Sequence, residues 1–158
     1  MKPLLLSVLL LLTGISFLTA GETLTDLERM QGIWQIVSLT EEGKQVPAKE
    51  TDVLEVVIYK DLFSVRQNEI PVVQYSIKLD PTKTPKAIDF TVRPPESKDK
   101  KDTKFKIVTD PGIYSFEKGL LKLVIDEKGK GRPTAFEGKE TATCSVMVLK
   151  RKSTAEKK

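Results

Sequence analysis

The chain has 158 residues, with 26 Lys or Arg, 22 Asp or Glu, no His and one Cys, for a net charge of +4. The absence of imidazole removes the usual neutral-pH general base and the commonest metal ligand, and it excludes hydrolases built on a serine–histidine pair. A single cysteine, Cys144, excludes an internal disulfide, so the core must hold the fold unaided.

Met1-Lys2 precedes Leu4 to Leu12, which is apolar except for Ser7, and Thr13 to Gly21 runs into small residues. That is the charged, apolar and small-residue order of a secretory signal. Residues 1–20 are read as the signal, cleaved after Ala20 or Gly21, because the apolar stretch is shorter than the ~20 residues that span hydrocarbon. The expectation is export to the periplasm or beyond, with a membrane involved only through this segment if it stays uncleaved. About 138 residues then remain, enough for one domain with a modest core. That domain is placed at 24–152, with a disordered basic tail at 153–158.

Thr25 with Glu28 fits a capping box, and Leu24, Leu27 and Met30 then share one side of a short helix. From Ile33 the period becomes two: Trp34, Ile36 and Ser38 point one way, and Ile33, Val37 and Leu39 the other. Glu41 to Lys44 reads as a turn, and the Pro47-containing segment to Asp52 as irregular. Val53–Tyr59 and Leu62–Gln67 form a hairpin about Lys60-Asp61. Asn68 and Glu69 turn the chain again. Pro71 confines the start of the next strand to an edge or bulge, and Val72–Leu79 alternates Val73, Tyr75, Ile77 and Leu79 against Gln74, Ser76 and Lys78.

Asp80 to Pro85 is a loop bounded by prolines. Ala87–Val92 is extended, Pro94-Pro95-Glu96 breaks it, and Ser97–Lys104 is a mobile loop of mixed charge. Phe105–Val108 is read as a short strand and Asp110-Pro111-Gly112 as a turn. Ile113–Phe116 and Leu120–Ile125 flank Glu117-Lys118-Gly119, a three-residue connection. Asp126–Thr143 is long and polar, and Gly129–Pro133 within it reads as a flexible hairpin loop that lacks phosphate-loop spacing. Cys144–Lys150 is the last strand, its thiol read as buried and inert rather than reactive or intermolecular. Eight or nine short strands with almost no helix argue for an all-β barrel or sandwich.

Carboxylate pairs such as Glu41-Glu42, Glu50 with Asp52, and Asp126-Glu127 fall in turns where solvated charge is expected, so no catalytic or metal site is assigned. Nucleic-acid binding is not expected either: Lys98, Lys100, Lys101 and Lys104 alternate with Glu96, Asp99 and Asp102, and the aromatics lie in apolar alternation.

Gly32-Ile33-Trp34 after a short helix, eight-strand spacing and Arg151 at the end of the last strand resemble the lipocalin pattern. A closer likeness joins Leu27 to Pro47, Leu79 to Lys83, Pro85 to Asp89, Gly112-Ile113-Tyr114, Arg132-Pro133-Thr134 with Phe136, and Val148 to Arg151. Over nearly the whole mature chain these segments look like a family of small, mostly uncharacterised lipocalin-like domains abundant in planctomycete genomes. The resemblance implies a single antiparallel eight- to nine-stranded barrel with a short N-terminal helix, in which Arg151 packs across Trp34 at the closed end. It implies no activity or cofactor. The lipocalin disulfide and the turn motif between later strands are missing, which leaves room for a narrow or filled interior.

The resulting expectation is an exported, non-enzymatic barrel binding a small apolar or amphipathic ligand. Strand parity and size nominate Trp34, Ile36, Tyr75, Ile77, Phe90, Tyr114 and Leu123 as lining, in a cavity larger than ~300 Å³. The alternative is a cell-envelope module with a filled barrel, meeting a protein or polyanion through a contiguous patch of Ile33, Val37, Leu39 or Val72.

Overall fold

The computed structural model describes residues 24–94 and 107–153. The signal segment, the charge-rich loop 97–104 and the tail from 154 lie outside the described residues. Of the strand expected at Phe105–Val108, only Ile107 and Val108 are described, and they belong to no strand.

Thr25 caps helix α1, Asp26–Met30, through a reciprocal box: the Glu28 N–H donates to Thr25 Oγ1 at 3.3 Å, and the Thr25 N–H to the Glu28 carboxylate at 2.7 Å. Met30 alone of the expected apolar side is buried, while Leu24 and Leu27 are exposed. Five residues make little more than one turn, so one position meets the barrel.

The strands are β1 (Gly32–Glu41), β2 (Lys44–Gln45), β3 (Leu54–Tyr59), β4 (Leu62–Gln67), β5 (Ile70–Asp80), β6 (Ala87–Val92), β7 (Thr109–Glu117), β8 (Leu120–Ile125) and β9 (Ser145–Arg151). The segment expected to be irregular before β3 contains a helical turn, α2 (Ala48–Thr51). From β3 onward each strand pairs antiparallel with the next, β1 pairs with β3, and β9 returns to β1. Eight strands thus close an up-and-down barrel, and β2 hangs on β1 as a ninth. Closure leaves no raw edge around the cylinder.

Local chemistry explains most of the turns. Glu117 still pairs with Leu120, so the β7–β8 connection is two residues rather than three. Lys118 at φ 48° and Gly119 at φ 80° form the left-handed pair that matches strand twist. Pro71 pairs with Arg66 beside the register shift between Val65 and Arg66, an irregular place of the kind that tolerates its missing N–H.

Two expectations fail for reasons that lie outside the local sequence. The β1–β9 register jumps between Ile36 and Ser38, a bulge that inserts one residue and reverses the parity beyond it. Leu39 therefore joins Trp34 and Ile36 in the core, and Val37 is left exposed. Asp110-Pro111-Gly112 is no turn but runs within β7. A Cβ on Gly112 would stand 2.7 Å from the Val124 carbonyl oxygen, so glycine is there for close strand approach.

Every strand of the cylinder sends apolar side chains inward, with Trp34, Phe63, Phe90, Tyr114, Leu121 and Leu149 among the most buried. A second, smaller core lies on the outer wall, where Ile113 and Val124 pack with Cys144, Phe136 and Val146. Residues 126–144 are thereby drawn against the barrel rather than left as an open loop. Arg132 pins them, donating to the carbonyls of Ile88 (2.9 Å) and Gly112 (2.6 Å) and to Asp89 (2.6 Å). Buried Asp126 accepts from the N–H groups of Lys128 (2.9 Å) and Gly131 (2.7 Å).

Gly112→Ala should lower unfolding free energy by about 1–3 kcal/mol, since the added methyl meets backbone that cannot yield. Gly119→Asn, at a left-handed position with nothing within 4 Å, should cost less than about 1 kcal/mol. Urea denaturation of the two variants checks the contrast.

Candidate functional site

The barrel interior divides along its axis. At the end away from α1 there is a cavity of ≈ 180 Å³ walled by Ile36, Leu39, Leu54, Phe63, Val65, Val73, Tyr75, Phe90, Ile125 and Met147. Its mouth carries Glu41, Asp110, Glu127 and Ser145. These residues come from the same end of all eight barrel strands or from the residues that follow them, which is why an up-and-down barrel opens there.

Three rings shape one wall and also narrow it. Phe63 and Phe90 meet edge to face at 5.2 Å and 88°, Tyr75 and Phe90 at 5.7 Å and 88°. Both geometries suit the quadrupoles of aromatic pairs. An eight-strand cylinder is barely wide enough for its own side chains, so three rings in one half leave less than the ~300 Å³ expected.

Ile36, Tyr75 and Phe90 line this cavity, as parity suggests; Trp34, Ile77, Tyr114 and Leu123 are buried in the core cluster and do not line it. Phe63, Val65 and Val73 were available from the same alternation. Leu39 was hidden by the bulge, and Glu41, Asp110 and Glu127 read only as turn charges.

The closed half is sealed by one connected set of contacts. The Arg151 guanidinium lies 4.3 Å from the Trp34 ring centroid and donates to the main-chain carbonyls of Gln31 and Arg29. Trp34 Nε1 donates to the Met30 carbonyl at 2.8 Å. The last carbonyls of α1 are thus satisfied from strands β1 and β9. Gln31 ties the same end to the β3–β4 turn, donating to the Lys60 carbonyl at 3.1 Å and accepting from its N–H at 2.6 Å.

Tyr114, nominated as lining, instead serves this seal. Its hydroxyl donates to Asp26 at 2.8 Å, and Lys86 Nζ reaches the same oxygen at 2.7 Å. Burial pushes the Asp26 carboxyl up, but hydrogen bonds from Lys86 and Tyr114 with the charges of Lys86 and Arg29 outweigh it and hold the group below its ordinary value. Burial, then the bond to Asp26, pushes the Tyr114 phenol well above its usual range.

At the mouth the balance runs the other way. Burial first, then the charges of Glu127 and Asp126, push the Asp110 carboxyl up. Burial with Glu127 and Asp110 does the same to the Tyr75 phenol. Glu127 accepts from Ser145 Oγ at 2.9 Å, and the nearby Lys128 is engaged by Glu42 at 2.7 Å. No Lys or Arg among the described residues lines the cavity. Among the described residues no three acidic or cysteine side chains converge closely enough to hold a metal ion. An apolar chamber with an acidic rim is suited to holding a molecule with a greasy body and a polar head.

Compared with protein-family models, curated proteins and solved structures, the chain finds no match.

Because the Asp26 carboxyl titrates lower folded than unfolded, its contribution is fully present above the unfolded value near 3.8 and drains away as pH falls through the folded value. Asp26→Asn should therefore cost about 1–2 kcal/mol at pH 7, with the gap to the parent closing below the ordinary aspartate range. Urea titrations from pH 7 to pH 2.5 read this directly; a gap independent of pH would contradict it.

Proposed function

We propose that this protein is an exported, non-enzymatic, lipocalin-like barrel that binds one small amphipathic molecule in the open half of its interior. The observation that carries the reading is the ≈ 180 Å³ chamber with apolar walls and a polar rim at one end only. Its size decides the scale of the ligand. An apolar cavity of ~150 Å³ takes benzene, whereas drug-sized ligands need ~300 Å³ or more. The occupant is a single ring or a short chain, not a retinoid-sized molecule. Export rests on the order of residues in 1–20, and the lipocalin likeness on Gly32-Ile33-Trp34 with Arg151.

The rival, an envelope module working through an outer apolar patch, has less support. Ile33, Val37 and Val72 are exposed, but the bulge turns Leu39 inward, and Val72 lies on β5, three strands around the barrel from β1. The four residues do not make one patch.

Native mass spectrometry of protein purified from its own host should show a retained molecule below roughly 200 Da, a bound scaled to the chamber. Val65→Phe, which places a ring in the chamber, should remove that mass while leaving the fold intact by circular dichroism. Repeated preparations without the adduct, together with no binding of benzene-sized probes, would overturn the reading.

A further inference from the structure

The chemical class of the ligand can be taken one step further, and the step rests on the ligand-binding reading above. We infer that the chamber takes an organic cation, an ammonium or guanidinium group joined to a ring or short apolar body, with the charge at Asp110 and Glu127 and the body among Phe63, Tyr75 and Phe90.

Three observations converge. The first is sign: this basic chain, with 26 cationic against 22 anionic residues, gathers Glu41, Asp110 and Glu127 at the mouth, and among the described residues no Lys or Arg joins the lining. Elsewhere on the barrel some half-buried acids have a cation beside them, as Asp26 has Lys86, Asp89 has Arg132 and Glu55 has Lys152. At the mouth the described residues offer Asp110 no such partner, and Lys128 is held by Glu42.

The second is spacing. These carboxylates do not converge on a single point as metal ligands do. They rim an opening, an arrangement met by a bulkier cation that touches each acid in turn rather than by a bare ion.

The third is the wall. Asp110 and Glu127 line the same chamber as Tyr75 and Phe90, and Tyr75 feels the charge of both acids. Aromatic rings attract an ammonium through the quadrupole and pack its apolar body by dispersion. An anionic head would meet like charges in a partly desolvated site, and a neutral head would leave their repulsion unrelieved.

Isosteric probes test the charge separately from the chamber. Benzylamine, benzyl alcohol and benzoate have the same ring and differ in the head, and each can be titrated into the full chain at pH 7 by calorimetry or by ligand-observed NMR. The amine is expected to bind about tenfold tighter than the alcohol, with benzoate weakest. In the double variant Asp110→Asn with Glu127→Gln the amine should fall to the level of the alcohol, while alcohol binding is kept and shows that the chamber is still formed. Equal binding of amine and alcohol by the parent, or an amine preference that survives in the variant, would overturn the cationic ligand and leave the chamber reading standing. Failure of all three probes to bind the parent would overturn both.

Discussion

Closure of the cylinder depends on β1 serving two neighbours at once. Trp34 and Gln35 pair with Val56 and Glu55 on one side and with Arg151 and Lys150 on the other. Beyond them β1 follows β9 and leaves β3, and the space on that side is taken by α2 and by the Val46 N–H, which donates to the Leu39 carbonyl at 2.8 Å. The bulge is the local cost of this double duty, because a strand bent to meet two partners gains twist there. Arg151 sits where both ladders meet, stacked on the indole and donating to the end of α1. Sheet closure, helix docking and burial of the one tryptophan therefore share one set of contacts.

Those contacts make the two ends of the barrel unlike. Around Trp34 and Tyr114 the interior is packed with buried side chains, and the indole N–H and the phenol O–H both donate to acceptors at that end. At the other end lies the chamber, with carboxylates at its mouth that have no ion pair among the described residues. Burial pushes Asp110 and Tyr75 up and neighbouring acids add to it, whereas at Asp26 the donors and cations around the carboxyl outweigh burial and hold it down.

Much of the architecture is legible in the chain because hairpins are local. The turn at Lys118-Gly119, the box at Thr25 and Glu28, and the alternation through Tyr75 and Ile77 each depend on residues a few positions apart. What escapes is decided between distant segments. Asp-Pro-Gly is a strong turn signal in isolation, yet Gly112 is required by the Val124 carbonyl of the next strand. Residues 126–144 read as an open polar loop because Phe136 and Cys144 are separated by eight positions, and only the outward Ile113 and Val124 show what they cover. Parity identifies which side chains face inward but not how far along the axis they stand. Four of the seven nominated lining residues accordingly stand off the chamber, Trp34 and Tyr114 in the seal and Ile77 and Leu123 in the packed core, and the acids of the rim carried no signal beyond their place in turns and strand ends.

The seam joins the first and last strands of the described barrel, with Arg29 and Arg151 lying 122 positions apart. Chain entropy opposes such a meeting until nearly everything between is in order. A partly assembled sheet would present β1 and β9 as two bare margins, each able to accept a strand from another molecule. The cylinder is thus an all-or-none object whose weakest moment is kinetic: the interval before its ends meet is when association between molecules competes with completion.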